Sequence, residues 1–339
     1  MQFFFAIWKA GVALKYRSRL ADFDLIHQLT YGSIVFPGLW WRSPKPVVLG
    51  PIGGTSTVSE NYISLYGNRI WKERIRAFVI HHWDLLPWAR LSFHRADLIA
   101  CSNSEANAIL SECYPQKTRT MTEIGAELER VNTGSLPAHS GTDLKLVWIG
   151  MVEPWKAWSI AIEAVKRAND ELGDRGTVHL TMLGRGNEEP QAHSLATALG
   201  IENQVTFLQR IPLDDLHRLI ESAHVFVFSS VKDTSGTVVL EGMGHGKALI
   251  CINHQGVGDM TTEETAIRVE PGSLEKTIEG FGSAMVKMAL DPEMRERMCL
   301  ASRDRVLSHY VWGVKAKKFY GFYEEVVARA RLKEDRLNQ

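Results

Sequence analysis

One stretch limits the folds open to this chain more than any other: VFVFSSVKDTSGTVVLE, residues 225–241. Its first four residues are apolar, and a polar turn follows at once. A short apolar run bounded in this way reads as a buried strand of a parallel sheet. The turn holds Asp233, Ser235 and Gly236, and a helical pattern opens near Thr237. The first N–H groups of a helix have no intrahelical acceptor and carry roughly half a positive charge, so a helix N-terminus suits a phosphate. Asp233 stands just ahead of the turn, and Glu241 lies eight positions on, a little over one helical turn inside. Open α/β sheets bind ligands outside the carboxyl ends of their strands, where both carboxylates would border one crevice. Carboxylates beside a phosphate site suit a ligand with phosphate and many hydroxyls. A sugar nucleotide fits that description.

The same alternation runs through the chain. Residues 22–28, 46–50 and 97–102 have the pattern of short strands, separated by helical patterns around 65–80 and 104–113. A second series of strands follows at 144–150, 178–183, 205–208, 225–228 and 248–252, with amphipathic helices at 157–172, 190–199 and 213–222 between them. Regular strand–helix alternation predicts parallel sheets with helices on both faces. Residues 132–141, NTGSLPAHSG, break every periodicity and read as a linker. The expected fold class is therefore α/β, with two Rossmann-like domains at 1–131 and 143–311, a linker at 132–142 and a closing helix in 312–339. A length of 339 residues accommodates two domains of ordinary size.

Charge and cysteine usage narrow the function classes. The 39 basic and 39 acidic residues cancel, so no global field favours nucleic acid or an anionic membrane. Cys101, Cys113, Cys251 and Cys299 show neither metal-like nor redox-like spacing, which makes a reducing cytoplasm the expected location. No apolar run approaches the roughly 20 residues of a transmembrane helix. The amino terminus, MQFFFAIW, is apolar, but Lys9, Lys15, Arg17 and Arg19 follow the apolar part, whereas a signal peptide carries its charge first. An amphipathic helix packing on its own domain is the favoured reading of this segment, and an interfacial membrane helix is the second. His81 and His82 have no third ligand at metal spacing, so no metal site is expected.

Residues 233–250, DTSGTVVLEGMGHGKALI, resemble the retaining glycosyltransferases of family 4. In that family two acids eight apart bracket a Gly-containing turn and are followed by a helix and a further strand. The first acid here is Asp, as in a subset of the family. The resemblance implies a GT-B architecture and transfer of a sugar from a nucleoside diphosphate with retention of configuration. By the same resemblance Glu241 binds the ribose hydroxyls and Asp233 those of the transferred sugar. The N–H groups of Ser235, Gly236 and Thr237 take sugar or diphosphate oxygens. In residues 149–158, IGMVEPWKAW, Gly150 and Lys156 match the family, with Lys156 on the donor diphosphate; Met151 stands in place of an Arg and Ala157 in place of a Gly. Arg185, Lys232 and Lys247 are candidates for the missing second cation. Gly184, in TMLGRG, resembles the strand end that approaches the nucleoside, and Arg210, in FLQRIP, the segment that borders the base. Gly242, Gly244 and Gly246 recur at every second position, for which close packing against the neighbouring strand is the favoured explanation over a mobile helix end.

The amino-terminal half resembles the same family less closely. DLIHQLT, residues 24–30, matches a segment of its acceptor domain, and LGPIGGT, residues 49–55, matches a Gly-Pro-x-Gly-Gly loop found in a subset. The position of the usual catalytic histidine is Gly or Pro here, leaving His27, Gly53 and Gly54 as acceptor-side candidates. The family's first strand, Gly-rich loop and helix have no counterpart, so the first domain is expected to be incomplete at its amino terminus. Trp312 fits the aromatic residue where the last helix crosses back to the first domain. The resemblance implies a nucleotide-sugar co-substrate with no cofactor and no metal, a glycan or lipid-linked acceptor, and a cytoplasmic location with peripheral contact at the inner face of the membrane. Met151 and the absent histidine favour the alternative, a non-catalytic sugar-nucleotide-binding or scaffold subunit of the same fold.

Overall fold

The protein is described by a computed structural model covering residues 2–29, 32–134, 136 and 141–337. The chain forms two compact units. The first comprises Met1–Thr57, Trp71–Glu123 and Gly313–Gln339. Its sheet has four parallel strands, β1 (Ile26–Gln28), β2 (Val47–Ile52), β3 (Leu98–Cys101) and β4 (Thr118–Thr120), in the order β1-β2-β3-β4. β2 and β3 are buried along their whole length. The strand expected over 22–28 is shorter, because Arg17–Asp22 forms a 3-10 turn and pairing starts only at Ile26.

The second unit comprises Val58–Ile70 and Ile124–Trp312. Its six parallel strands are β5 (Leu144–Ile149), β6 (Val178–Leu183), β7 (Val205–Leu208), β8 (Val225–Phe228), β9 (Ala248–Ile252) and β10 (Ala266–Val269). They run in the order β10-β9-β8-β5-β6-β7. The chain builds outward from β5 through β6 to β7, then returns to β8 on the other side of β5. Strand order therefore reverses between β5 and β8, which is where doubly wound sheets open a ligand crevice.

The composition of β8 follows from its central place. Val225 and Val227 enter one core with Trp148, Ile160, Phe281 and Ile250, while Phe226 and Phe228 enter the other with Val239, Met243 and Cys251. Alternate side chains of a strand point to opposite faces, and both faces are covered by helices. An unbroken apolar run is what such a strand requires. β4 and β10 fall outside the expected set; both are short edge strands, and TRT and AIRV are each interrupted by an arginine, which leaves too short a run to read as a strand.

The units divide the chain differently from the expected blocks. Residues 58–70 join the second unit because Tyr62 inserts into its core and places its hydroxyl 2.9 Å from Thr277 Oγ1. Residues 124–131 join it too: Ala126 bridges to Val311, and Val131 packs in the core with Phe226. Of the expected linker, residues 135 and 137–140 lie outside the described residues.

Candidate functional site

The site-bearing helix is Thr237–Gly244, and Gly236 precedes it in the left-handed region (φ 76°, ψ 86°). A Cβ at Gly236 would stand 2.9 Å from Phe228 Cζ, so glycine answers both the conformation and the space. The three spaced glycines have three different settings. A Cβ on Gly242 would lie 2.7 Å from Phe226 Cδ2, the close packing expected from the sequence. Gly246 ends the helix at φ 65°, its N–H donating to Met243 O at 2.9 Å. Gly244 has room, its nearest neighbour being Val131 Cγ2 at 3.7 Å.

Lys156 and Asp233 meet at the switch point. One follows β5 and the other follows β8, and their side chains form an ion pair, 15% and 24% exposed. The Lys156 ammonium also lies 5.2 Å from the centre of the Phe228 ring. The loops beneath them are tied together. Ser229 Oγ donates to Lys156 O at 2.9 Å and accepts from Trp148 Nε1 at 3.0 Å, and Val231 N–H donates to Trp155 O at 2.9 Å. Ala157, the residue after Lys156, adopts φ 44°, ψ 47°. That is the left-handed region, at a position where the sequence comparison expected glycine.

Two residues that sequence reasoning missed hold the acidic turn from the far side. Gln255 Oε1 accepts the Asp233 N–H at 2.6 Å, with Gln255 itself at φ 51°. His254 Nε2 is 2.9 Å from Ser230 O; a carbonyl only accepts, so this nitrogen carries the proton. Burial lowers the His254 pKa, opposed by that hydrogen bond and by the charge of Asp233. A third missed residue, Glu153, accepts from Arg69 Nη1 at 2.9 Å and from the Asn187 N–H at 3.0 Å. It fixes the turn that presents Lys156.

Glu241 lines a cavity of about 170 Å³ beside the helix start, with Glu127, Arg130, His217, Thr237 and His245 as the other polar residues of the lining and Leu213 and Leu216 on the apolar wall. Burial raises the Glu241 pKa, and the positive potentials of His217 and Arg130 oppose the shift. His245 Nε2 lies 2.9 Å from His217 Nδ1. Burial lowers the His245 pKa, as do His217 and Lys247, against Glu221, which raises it. An apolar wall facing a carboxylate and an arginine is an amphipathic lining, suited to a ligand that is flat and apolar on one side and hydroxylated on the other.

Other expected residues have definite places. Gly184 and Gly186 are glycines because the loop after β6 presses on the loop after β5: Cβ atoms there would lie 1.7 Å from Gly150 O and 2.0 Å from Val152 O. Ser235 is buried, while Thr237 and Arg210 are exposed. Met151, in the place of the expected Arg, is 53% exposed. Of the candidate second cations, Lys247 is buried away from the crevice and donates to Glu221 O and Ala223 O, both at 2.9 Å. It satisfies carbonyls at the end of the helix Leu213–Ser222 and is not the missing cation. Arg185 donates to Gln209 Oε1 at 3.0 Å, and Lys232 stands over the Tyr66 and Trp155 rings at 5.5 and 6.0 Å.

The acceptor-side candidates lie in the first unit. His27 Nε2 donates to Gly50 O at 2.7 Å, and its Nδ1 is 2.7 Å from the Tyr323 hydroxyl. Burial lowers its pKa against the Gly50 hydrogen bond, so the neutral ring fastens β1 to β2 and to the helix Trp312–Leu337. Gly53 N–H donates to Gly32 O at 3.0 Å, and Gly54 O accepts from Arg76 Nη2 at 3.2 Å. His81 and His82 each hold the carbonyl four residues back, at 2.8 and 2.9 Å.

Known proteins resemble this chain in sequence and fold. Residues 137–305, which span the switch point, Lys156, Asp233 and Glu241, match the family Glycosyl transferases group 1. This stretch is similar to a group 1 glycosyl transferase domain. Among curated relatives, a D-inositol 3-phosphate glycosyltransferase of Kribbella flavida is 29% identical over 159 residues, 45% of this chain and 37% of that protein. The lipopolysaccharide core biosynthesis glycosyltransferase LpsE of Rhizobium meliloti is 28% identical over 237 residues, 69% of this chain and 66% of its own. The matches thus span less than two thirds of these relatives' lengths. Solved structures share the fold. Sucrose-phosphate synthase from Thermosynechococcus elongatus superposes with a TM-score of 0.67 at 18% identity, over 96% of this chain and 78% of that one. Anabaena HepE in complex with UDP gives 0.66 at 14% identity, over 94% and 82%. The six-stranded unit and the four-stranded unit are the two Rossmann-like parts of a GT-B fold.

Proposed function

We propose that the chain transfers a glycosyl group from a nucleoside diphosphate sugar to a hydroxyl of a glycan or lipid-linked acceptor, with retention of configuration and without a metal or other cofactor. The observation that carries this reading is the meeting of Lys156 and Asp233 at the β5–β8 switch point, beside a helix N-terminus and a cavity that holds Glu241. Glu241 takes the ribose hydroxyls and the apolar wall of Leu213 and Leu216 takes the base, bordered by Arg210 and Gly184. Asp233 holds hydroxyls of the transferred sugar. Lys156 and the N–H groups around Gly236 face the diphosphate.

In the reaction the bond from the anomeric carbon to the diphosphate breaks and the bond to the acceptor oxygen forms on the same face. The acceptor proton passes to the departing diphosphate. Negative charge grows on that leaving group, so fixed positive potential contributes more than acid–base chemistry. The UDP complex of HepE and the name of LpsE support a nucleotide donor and a surface-glycolipid acceptor, respectively. Among the described residues no helix is long and apolar enough to cross a membrane. The proposal places the chain in the cytoplasm, working on acceptors at the inner face of the membrane.

A non-catalytic sugar-nucleotide-binding role is the second reading, favoured by the exposed Met151 where a second cation is expected. Thermal melting against UDP, GDP and ADP sugars, followed by measurement of nucleoside diphosphate release with a membrane-extracted acceptor pool, separates the two. Saturation at 100 times the dissociation constant should stabilise the fold by about 2.7 kcal/mol. A shift with one nucleotide plus release supports transfer, and a shift without release supports the second reading. A cooperative melt that no nucleotide moves sinks both.

A further inference from the structure

The proposed chemistry leaves the outer face of the helix Ile70–His81 unused. Ile80 is the one buried residue recorded for this helix, while Trp71, Ile75 and Phe78 are 57%, 57% and 62% exposed. At about 100° per residue these three fall within an arc of about 60°, a continuous stripe along the helix. His82 extends it, its ring stacked on Phe78 with centroids 4.2 Å apart. Single exposed apolar residues are ordinary on protein surfaces, but a contiguous line of large ones marks an interaction site.

The charges around the stripe select its partner. Lys72 and Arg74, both exposed, stand at about 100° on one side of Trp71 and about 60° on the other. Glu73, the helix's acidic residue, is turned about 160° away and lies 3.8 Å from Arg76. The complement of an apolar stripe with cations on both flanks is an apolar interior bounded by negative charge. An anionic lipid surface has that profile. We propose that the helix Ile70–His81 seats its Trp71–Ile75–Phe78 face in the surface of a bilayer containing anionic lipid, docking the chain where a lipid-linked acceptor resides. This surface is distinct from the amino-terminal helix Gln2–Lys15, the segment that sequence alone singled out. The inference rests on the reading of the acceptor as lipid-linked, but its test does not use the transfer reaction.

The experiment is co-sedimentation of the full chain with vesicles of phosphatidylcholine, with and without phosphatidylglycerol, at low and high salt. The chain binds the mixed vesicles and is released by salt. The triple variant Trp71→Ser/Ile75→Ser/Phe78→Ser lowers the partition coefficient at least about tenfold, and Lys72→Gln/Arg74→Gln removes the preference for phosphatidylglycerol. All replaced side chains are exposed, so the melting temperature serves as a control on folding. Unchanged binding by the triple variant overturns the proposal, as does loss of binding only with Ile7→Ser/Trp8→Ser. A dimer that the triple variant dissolves assigns the face to a second copy and overturns the lipid partner. A nucleotide-dependent melting shift without vesicle binding removes the docking surface and leaves the transferase reading intact. Vesicle binding without any nucleotide shift does the reverse.

Discussion

Replacing Glu241 with Gln exchanges a carboxylate for a neutral amide of nearly the same shape, in a cavity walled by Leu213, Leu216, Leu240 and Val131. Burial raises the Glu241 pKa above its ordinary 4.5, with His217 and Arg130 opposing the shift incompletely. The folded state therefore holds this proton more tightly than the unfolded state does. Stability is fully present below pH 4.5, falls as the pH rises through the raised folded value, and stays lower at neutral pH. Gln does not titrate, so Glu241→Gln should stabilise the free chain at neutral pH and not in acid. The cavity opens to solvent, which screens the penalty, so a gain of about 0.5–1 kcal/mol is expected, or roughly 1–4 °C in melting temperature. Nucleotide binding should move the other way. A charge-assisted hydrogen bond exceeds a neutral one by about 1–1.5 kcal/mol, and two ribose hydroxyls make the loss about 2–3 kcal/mol, or 30- to 150-fold in Kd. Calorimetric melts of both proteins at pH 4 and pH 7.5, with and without UDP, give all four quantities. A variant that melts below the parent at pH 7.5, or by the same offset at both pH values, would mean the carboxylate is satisfied within the protein, and the reasoning fails.

Gly242→Ala should cost about 1–3 kcal/mol because its methyl meets the buried Phe226 ring, whereas Gly244→Ala, with space around it, should be neutral or stabilise by up to about 1 kcal/mol; urea midpoints that fail to separate them refute the packing account. A double-mutant cycle of Lys156→Met and Asp233→Asn should show a coupling of about 1–2 kcal/mol in the free chain, as suits a partly buried pair, and additive effects would show that the pair contributes nothing. Lys156→Met should also slow diphosphate release about 10²- to 10³-fold in a transfer assay. Ala157→Gly relieves about 1–2 kcal/mol of left-handed strain but gives up about 0.8 kcal/mol of methyl burial and about 0.4–1 kcal/mol through the unfolded chain, so its denaturation midpoint should barely move.

Much of the second unit is legible because its signals are local. A strand covered on both faces has to be apolar throughout, and residues 225–228 announce that in four letters. The turn and helix start at Gly236 follow from backbone conformations that few other residues adopt. The edge strands β4 and β10 escape because each is very short and is interrupted by an arginine, Arg119 or Arg268. The place of Val58–Ile70 escapes because what binds it is Tyr62 reaching Thr277, a contact 215 residues away. Gln255 carries no motif of its own; its amide matters only because β9 ends next to the turn after β8. The same holds for Arg130, which the fold alone brings to the Glu241 cavity. Lys247 misleads for the opposite reason: it is near Glu241 in sequence, yet its stem runs inward to the end of another helix.

The sequence by itself determined the strand–turn–helix unit, the two acids eight apart and the loop that carries Lys156, since propensity, spacing and backbone conformation act over a few residues. Tertiary structure decided that β8 returns to lie beside β5, and only that return brings Lys156 to Asp233 across 77 residues of chain. It also decided which carboxylate sits in a cavity and which is paired, because burial and Coulomb interaction depend on neighbours in space. No local pattern encodes them.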